Sequence, residues 1–395
     1  MSVGFNETTV DIIQLPKQIP PEMPYAIDDC STAFHLGFRN KVMWGVLIDT
    51  LAQYTVITIP KRTKGVRVIH APDEMMKLLL KRLHVKFLVP LHNQLGKHVT
   101  AYRKGLSATD AVAQHVPKCP ICDDAPKGVT PKKHTCPKRG LYIKMDLQNF
   151  FHTHTRAWIR NYFKSIGYSH SVAGILAGLL VVQDVKNVNY ERDRKEKGKD
   201  EAQQFFTRTP QGSPASGAIC NLVADQRLDG KIIEYLKTLD KKYKLEGEWV
   251  WKYTRYSDDL SITCGINPPV EERKEILKTL KAIVEEAGYL VNKKKTRIAH
   301  SYHRKTLLGM VFNEKTNYAR EDYLKLRAIT HNCVTHGFES QYQRAGQETT
   351  ESMVTWLRGM INWVNQINPE RGQKLLNEFS AAIAIHKEKS NVQTG

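Results

Sequence analysis

The sequence predicts an α+β fold, in which strand hairpins are followed by amphipathic helices. Two stretches, Tyr54–Ile59 with Val66–Ile69 and Trp249–Cys264, are rich in β-branched and aromatic residues around a tight turn, which is typical of β-hairpins. Apolar residues recur at helical spacing in Thr155–Ser165 and Glu271–Ala287, and they predict helices there. The C-terminal stretch has a mostly helical pattern. We therefore expect antiparallel strands and helices, with helices prevailing toward the C-terminus.

The charge balance narrows the class of partner. The 395 residues include 59 Lys+Arg and 40 Asp+Glu, a formal net charge of +19, with 41% hydrophobic residues. A chain of this length can form about two to four domains and bury a core without disulfide or metal staples. An excess of positive charge this large argues against an ordinary neutral metabolic enzyme. It favours a polyanionic partner, above all nucleic acid.

The sequence predicts a cytoplasmic protein without a membrane partner. The longest apolar run is the eleven residues Val172–Val182, short of the ~18 that cross a bilayer. The first residues, Met1–Glu7, lack the basic and apolar regions of a secretory signal. Four of the seven cysteines are scattered along the chain, which is typical of reduced thiols; they are Cys30, Cys220, Cys264 and Cys333.

Composition also marks segments of the chain. The first 35 residues contain Pro16, Pro20, Pro21 and Pro24 and little periodicity, so they predict an extended arm or loop. Residues 59–105 contain eleven Lys+Arg against two acids. Residues 184–201 contain six acids and six bases, which predicts a solvated insertion.

Three aspartates are candidates for metal binding. Asp258 and Asp259 stand at the tip of the second hairpin, within Tyr256-Ser257-Asp258-Asp259, and Asp146 ends the apolar strand Leu141–Asp146. A plain Asp turn or a strand-end cap would explain each one alone. Adjacent carboxylates repel each other, however, and a bound cation removes that repulsion. Three carboxylates from two strands could hold the pair of metal ions used in nucleotidyl transfer.

Two further pieces lie between these aspartates. Thr209–Gly217 contains a Gln-Gly-Ser-Pro turn that leads into a helix, and its glycine would let a nucleotide approach the backbone closely. Phe150 and Phe151 follow the first aspartate. Strand alternation would place these two rings on opposite faces, with Phe150 in the core.

Taken in their order along the chain, these motifs resemble those of the palm of a reverse transcriptase. That family has a strand-end Asp with paired aromatics, then a Gln-Gly-Ser-Pro turn and helix, then a Tyr-x-Asp-Asp hairpin. Ile59–Arg62 with Gly65–Ile69 looks like the family's fingers hairpin, and Gly288–Asn292 resembles the segment after the catalytic hairpin. The likeness covers roughly residues 35–385.

Among reverse transcriptases, the chain is most similar to the bacterial retron and phage-defence enzymes. Gly309–Asn313 resembles the start of their thumb, and Arg358–Trp363 resembles a thumb helix. We expect no maturase or endonuclease region after the thumb. Three positions differ from the retron pattern: Ala111–His115 keeps only the His of Asn-Ala-x-x-His, Leu307-Leu308-Gly309 replaces Val-Thr-Gly, and Gly217 replaces a proline. Another defence-associated or group II intron-like lineage remains an alternative.

The resemblance implies a right-hand polymerase with fingers and palm, built from an antiparallel sheet and helices, and a mostly helical thumb. Its expected segments are an N-terminal arm (1–35), fingers (36–116), a Cys/His insertion (117–139), a palm (140–306, with the charged insertion near 184–201) and a thumb (307–395).

The resemblance also implies roles for individual residues. Asp146, Asp258 and Asp259 would be catalytic and would hold two Mg²⁺ ions, with the Leu147 carbonyl as a further ligand. Phe151 would exclude a 2′-hydroxyl; a core aromatic is the alternative. Lys61 and Arg67 would bind the triphosphate, although a generic basic surface would also explain them. Gln211 and Gly212 would line the nucleotide pocket. Basic residues after the hairpin would follow the nucleic-acid backbone: Lys293, Lys294, Lys295, Arg297, Arg304 and Lys305.

The implied function is RNA-directed DNA polymerisation. A retron enzyme would use dNTPs to copy part of a partner non-coding RNA into the single-stranded DNA of msDNA, forming an RNA–DNA hybrid, and would act in antiviral defence with a separate effector protein. A catalytically idle RNA-binding protein is an alternative that the intact aspartates disfavour. An RNA polymerase is another, which Phe151 disfavours.

A second metal site is indicated by a cysteine-rich loop. Eleven residues separate the motif Cys119-Pro120-Ile121-Cys122 from the motif His134-Thr135-Cys136. Four soft ligands suit a tetrahedral structural Zn²⁺, although His-x-Cys is tighter than the usual spacing. Free thiols in a Lys/Pro loop are the alternative. The family resemblance does not require this site.

Overall fold

The computed structural model describes residues 29–36, 53–60, 66–124, 134–183, 207–300 and 303–393. Both predicted hairpins form antiparallel pairs, and the turn of the first one lies outside the described residues. The strands are β1 (Tyr54–Pro60), β2 (Val66–Pro72), β3 (Leu141–Asp146), β4 (Val182–Gln183), β5 (Thr207–Arg208), β6 (Lys252–Tyr256), β7 (Asp259–Cys264), β8 (Arg297–Ala299), β9 (Thr306–Leu307), β10 (Met310–Val311) and β11 (Asn317–Tyr318).

The predicted helices are present with small shifts at their ends, and the α+β class is confirmed. The helices are α1 (Asp29–Leu36), α2 (Glu74–Leu83), α3 (Val89–Gln94), α4 (Ala108–Ala113), α5 (Pro120–Asp123), α6 (Phe150–Thr153), α7 (Arg156–Ser165), α8 (His170–Leu179), α9 (Ser216–Ala224), α10 (Gly230–Tyr243), α11 (Val270–Glu286), α12 (Arg320–His336), α13 (Tyr342–Ala345), α14 (Thr350–Ile367) and α15 (Pro369–Gln393). Short π-helical turns, His84–Leu88 and Asp225–Asp229, continue α2 and α9.

The chain divides into two compact units. Unit one comprises Met1–Lys104, Leu147–Ile232 and Lys281–Val291, and unit two comprises Gly105–Asp146, Ile233–Leu280 and Asn292–Gly395. Unit one contains the hairpin β1–β2 and the short pair β4–β5. Unit two contains a four-stranded sheet and a three-stranded sheet.

The four-stranded sheet of unit two has the order β6-β7-β3-β8. Its central strand β3 is apolar and almost entirely buried because it has a neighbour on each side. The antiparallel register pairs Asp146, the last residue of β3, with Asp259, the first residue of β7. Residues paired across neighbouring strands lie on the same face of the sheet, so these two carboxylates share a face.

The predicted C-terminal helices form a core of their own within unit two. Helices α12, α14 and α15 pack around buried apolar side chains that recur at helical spacing along α14. The central members are Phe338, Met353, Leu357, Ile361, Val364, Leu375 and Phe379.

A buried histidine ties the hairpin β6–β7 to the rest of unit two. His115, two residues after α4, is fully buried. One ring nitrogen lies 2.7 Å from Thr254 Oγ1 on β6, and the other lies 2.8 Å from Thr263 Oγ1 on β7. Burial, with a smaller contribution from Lys252, lowers the pKa of His115 to about 3. The neutral ring therefore links both arms of the hairpin whose turn carries Asp258.

Two sequence predictions are wrong in detail. The arm predicted as extended over the first 35 residues contains the start of helix α1, which buries Thr32 and Leu36. Phe150 and Phe151 lie in the short helix α6 instead of a strand. The rings therefore do not alternate, although Phe150 is buried as expected.

Two other predictions concern the charged insertion and the absence of a membrane-spanning segment. The whole of the charged insertion 184–201 lies outside the described residues. Among the helices that the structure describes, none combines the length and apolar character needed to cross a membrane.

We expect His115 to make stability depend on pH. Its pKa is lower in the folded chain than the ordinary value of 6.5, so protonation below pH ~6.5 favours the unfolded chain. The stabilisation is complete above that pH and is lost as the pH falls toward 3. Between pH 7 and pH 5 the loss is about 2 kcal/mol. Urea denaturation of His115→Gln should show a smaller loss over this range.

The exposed His331 supplies the control for that measurement. His331→Gln should keep the wild-type pH dependence. An unchanged pH dependence in His115→Gln would contradict the role of its burial.

Candidate active site

The three predicted aspartates lie together in unit two, at the ends of strands. Asp146 and Asp259 are cross-strand partners, and Asp258 is in the turn between β6 and β7. The turn residue before it, Ser257, has a φ of +57° and is buried. A non-glycine residue in the left-handed region is unfavourable, and such residues cluster at functional sites.

Two lysines neutralise part of the negative charge. Lys295 Nζ lies 2.8 Å from Asp146 Oδ2, and Lys144 Nζ lies 2.9 Å from Asp259 Oδ1. Lys144 precedes Asp146 by two residues on β3, so strand alternation places it on the carboxylate face. These ion pairs offset part of the repulsion between the carboxylates.

Asp258 is buried beside the negative charges of Asp259 and Asp146. Burial, with smaller contributions from the charges of Asp259 and Asp146, raises its pKa to about 6, while Lys295 acts in the opposite direction. The residue therefore gains from a cation held beside it. Three oxygen-donor side chains are the ligand type that Mg²⁺ prefers, so the residues present fit that ion.

The three carboxylates do not converge on one point as a set of metal ligands. Among the described residues, ligand atoms converge within 4.8 Å at two other clusters, and the aspartate trio is not one of them. The two lysine ion pairs hold two of the three side chains. Each pair engages one oxygen of its carboxylate, Asp146 Oδ2 and Asp259 Oδ1.

The predicted nucleotide-binding residues that the structure describes belong to unit one. The turn with Gln211 and Gly212 is attached to strand β2, since the His70 N–H donates to the Gln211 carbonyl at 2.7 Å. Gly212 has a φ of +118°, and a Cβ there would lie 2.5 Å from the His70 carbonyl oxygen. Close packing on β2 is thus sufficient to require this glycine.

Arg67 is exposed on the same strand, opposite Ile59. Its predicted companion Lys61 lies outside the described residues. The Leu147 side chain is buried, and Leu147 forms a bridge with Val291.

A second histidine connects Phe151 to the same turn. The buried His154 ends α6; its Nδ1 donates to the Phe150 carbonyl at 2.7 Å, and its Nε2 accepts from the Tyr289 hydroxyl at 2.9 Å. The His154 carbonyl accepts from the Thr209 N–H at 3.1 Å. Hydrogen bonds therefore run from β2 through the turn to the helix that carries Phe151.

Sequence analysis missed Tyr102 as a neighbour of Phe151. The two rings meet edge to face with centroids 6.0 Å apart. Tyr102 has a φ of +59° and is 52% exposed. A Cβ on Gly217 would lie 2.4 Å from the Tyr102 ring, so glycine at this position makes room for the tyrosine. The departure of Gly217 from the family's proline was the available signal.

The predicted backbone-binding residues divide into two groups. Lys293, Lys294 and Arg297 are exposed, and the exposed Arg304 pairs with Glu321 at 3.1 Å. Lys305 contradicts the prediction. It is only 4% exposed, and its Nζ donates to the Lys138 carbonyl at 2.9 Å. Burial lowers the pKa of Lys305 to about 8, with Cys136 and Cys264 acting in the opposite direction.

The two clusters of converging ligand atoms contain none of the three predicted catalytic aspartates. Cys119, Cys122, His134 and Cys136 bring their ligand atoms within 4.8 Å of one another. His98, Asp225 and Asp229 do the same in unit one, where His98 Nε2 lies 2.8 Å from Asp225 Oδ1 and 3.7 Å from Asp229 Oδ2. A hydrogen bond between His98 and Asp225 explains the convergence of the second cluster without a metal.

Comparison with known proteins supports the resemblance predicted from the motifs. A family model described as "Reverse transcriptase (RNA-dependent DNA polymerase)" matches residues 59–312, a range that contains all three aspartates. The retron Mx65 reverse transcriptase of Myxococcus xanthus is 27% identical over 83% of this chain and 64% of that protein.

Two further retron proteins match. The retron Ec86 reverse transcriptase of Escherichia coli is 25% identical over 60% of this chain and 59% of its own length. The retron Mx162 reverse transcriptase of Myxococcus xanthus is 23% identical over 86% and 64%. The predicted likeness to retron reverse transcriptases is confirmed. The chain spans roughly three fifths of the length of these curated relatives.

We expect Asp258→Asn to stabilise the metal-free protein while removing a ligand. At neutral pH the folded chain holds a charged Asp258 at a cost, since burial and its acidic neighbours raise the pKa to about 6. Removing that charge should raise the free energy of unfolding by about 1–3 kcal/mol. The measurement is urea denaturation at pH 7.5 in EDTA.

The same measurement in excess Mg²⁺ is the internal control. A bound ion stabilises the wild type more than the variant, so the gap should narrow. A variant that is less stable than the wild type in EDTA would refute the electrostatic account.

Proposed function

The chain belongs to the reverse transcriptase family, and we propose that it is an RNA-directed DNA polymerase that joins dNTPs by two-metal nucleotidyl transfer. The observation that carries the proposal is the placement of three carboxylates at adjacent strand ends, with Asp146 paired to Asp259 and the pKa of Asp258 raised by its burial and by the other two. An idle RNA-binding protein would gain nothing from this repulsion.

In the proposed mechanism Asp146, Asp258 and Asp259 would hold the ions, and the Leu147 carbonyl would add a ligand. Bound Mg²⁺ would supply the Lewis acidity that activates the primer 3′-hydroxyl and neutralises the departing pyrophosphate. Lys144 and Lys295 pair with Asp259 and Asp146 and so offset part of the negative charge of this site.

The incoming nucleotide is assigned to the residues of unit one. Arg67 and Lys61 would bind the triphosphate, and Gln211 with Gly212 would line the pocket. Phe151 would meet the sugar and exclude a 2′-hydroxyl. The hydrogen bonds of His154 to Phe150 and Tyr289 support this assignment, because they fix the short helix on which Phe151 stands.

Nucleic acid is assigned to the exposed cations after the hairpin. Lys293, Lys294, Lys295, Arg297 and Arg304 would contact phosphates, which predicts binding that weakens as salt rises. The buried Lys305 is left out of this surface.

The retron names of the relatives favour a specific template. We propose that the chain copies part of a partner non-coding RNA into the DNA of msDNA, in antiviral defence with a separate effector protein. A cytoplasmic location belongs to the same proposal. A defence-associated or group II intron-like lineage would use a different RNA.

The polymerase proposal predicts Mg²⁺-dependent incorporation of labelled dNTPs by the protein purified with its co-expressed RNA. The double variant Asp258→Ala, Asp259→Ala should lose more than about 100-fold in rate, because several kcal/mol of charge stabilisation disappear. The exposed Asp322→Asn is the control and should retain the wild-type rate. Sequencing the product against the bound RNA identifies the template.

Three outcomes distinguish the alternatives. No incorporation by the wild type, either on its own RNA or on a primed template, would point to an idle RNA-binding protein. Preference for NTPs would indicate an RNA polymerase. Products that do not map to the bound RNA would refute the retron assignment and leave the polymerase intact.

Sugar selection by Phe151 makes a separate prediction. Phe151→Val should lower the ratio of kcat/KM for dNTP over NTP at least ~10-fold, because a smaller side chain leaves room for the 2′-hydroxyl. Tyr102→Phe keeps the ring beside Phe151 and should leave the ratio unchanged. An unaltered ratio in Phe151→Val would assign this ring to packing alone.

A further inference from the structure

Four side chains that the polymerase proposal does not use converge in unit two. Cys119 Sγ and Cys122 Sγ each lie 3.4 Å from His134 Nε2, and Cys122 Sγ lies 3.6 Å from Cys136 Sγ. The four ligand atoms are all within 4.8 Å of one another. The three sulfurs belong to free cysteines, and 3.6 Å is far longer than the ~2.05 Å of a disulfide.

These separations match the edges of a zinc tetrahedron. With Zn–S near 2.3 Å and Zn–N near 2.0–2.1 Å, ideal angles place two sulfurs about 3.8 Å apart and a sulfur and a nitrogen about 3.6 Å apart. The three measured separations agree within about 0.2 Å. These three edges therefore have about the length that the ion requires, and the other three do not exceed 4.8 Å.

Two Cys-Pro turns hold the ligands in place. In the first, the Cys119 carbonyl accepts from the Cys122 N–H at 2.9 Å and from the Asp123 N–H at 2.8 Å. The Cys119 N–H in turn donates to Asp123 Oδ2 at 2.8 Å. In the second turn, the Arg139 N–H donates to the Cys136 carbonyl at 3.0 Å. Proline after each cysteine fixes φ and stiffens both turns.

The surrounding charge supports a metal–thiolate complex. Three thiolates and a neutral imidazole around Zn²⁺ carry a net charge of −1. Lys138 pairs with Asp123, and the buried Lys305 donates to the Lys138 carbonyl. Lys138 follows the ligand Cys136 by two residues, so the Lys305 ammonium is bound to the backbone next to the site. A buried cation is costly without a nearby negative charge, and a zinc–thiolate centre supplies that charge.

We propose that Cys119, Cys122, His134 and Cys136 bind one structural Zn²⁺ that fastens α5 to the segment entering β3. Four protein ligands leave no open position for a substrate, which distinguishes a structural centre from a catalytic one. The site is separate from the proposed Mg²⁺ centre. Its consequence is to anchor the beginning of β3, the strand that ends at Asp146.

The first test is the metal content of the full chain, purified under reducing conditions without chelator. Elemental analysis should find about one zinc per chain. Cys122→Ser and Cys136→Ser should each reduce this content at least several-fold. The control is Cys333→Ser, which removes a buried cysteine in helix α12 and should keep the full complement.

A second measurement keeps the test decisive if the cysteine variants do not fold. The wild type is stripped with a zinc chelator and titrated with Co²⁺, and a tetrahedral thiolate site gives intense visible absorption bands that Zn²⁺ then abolishes. A wild type with neither zinc nor this cobalt spectrum would overturn the proposal, and so would full zinc retention in folded Cys122→Ser and Cys136→Ser.

Failure here is distinguishable from failure of the polymerase proposal. Asp258→Ala, Asp259→Ala leaves all four zinc ligands in place and should contain the wild-type amount of zinc. Zinc content and dNTP incorporation are therefore independent readouts.

Discussion

Repulsion among three carboxylates at the ends of neighbouring strands is the constraint around which unit two is arranged. The central strand β3 and its partner β7 bring Asp146 and Asp259 side by side. The turn adds Asp258, whose pKa is raised to about 6 by burial and by these neighbours. Lys144 and Lys295 offset part of the charge, and a bound cation would offset the rest. Burying these charges side by side lowers the stability of the folded chain, which is a common cost at functional sites.

Buried histidines position the functional segments of both units. In unit two, His115 joins the hydroxyls of Thr254 and Thr263 on the two strands of the hairpin β6–β7. In unit one, His154 accepts from Tyr289 and donates to the backbone of Phe150. Neither ring contacts solvent, so each acts through the geometry of the residues it holds. The motif histidine of the retron pattern thereby acquires a physical role as a tie between strands.

Sequence patterns predict the strands and the candidate site residues better than they predict the burial and contacts of each side chain. The hairpins β1–β2 and β6–β7 were predictable because alternation and turn residues are local signals. Two adjacent aromatics, Phe150 and Phe151, do not reveal from the sequence that they lie in a single helical turn. A lysine in a basic segment predicts a surface cation, but the burial of Lys305 depends on Lys138, which is 167 positions away. The contact of Tyr102 with Gly217 and the left-handed φ of Tyr102 exist only in the folded chain.

The sequence by itself determined the fold class, the family resemblance and the identity of the three candidate aspartates and the four candidate Cys/His ligands, because residue type and spacing carry that information. Only the tertiary structure decided which atoms meet. It paired Asp146 with Asp259, placed lysines on two carboxylates and brought Cys122 within 3.6 Å of Cys136. The physical reason is that charge balance and ligand geometry depend on distances between residues far apart in the chain, and the packing of strands and turns sets those distances.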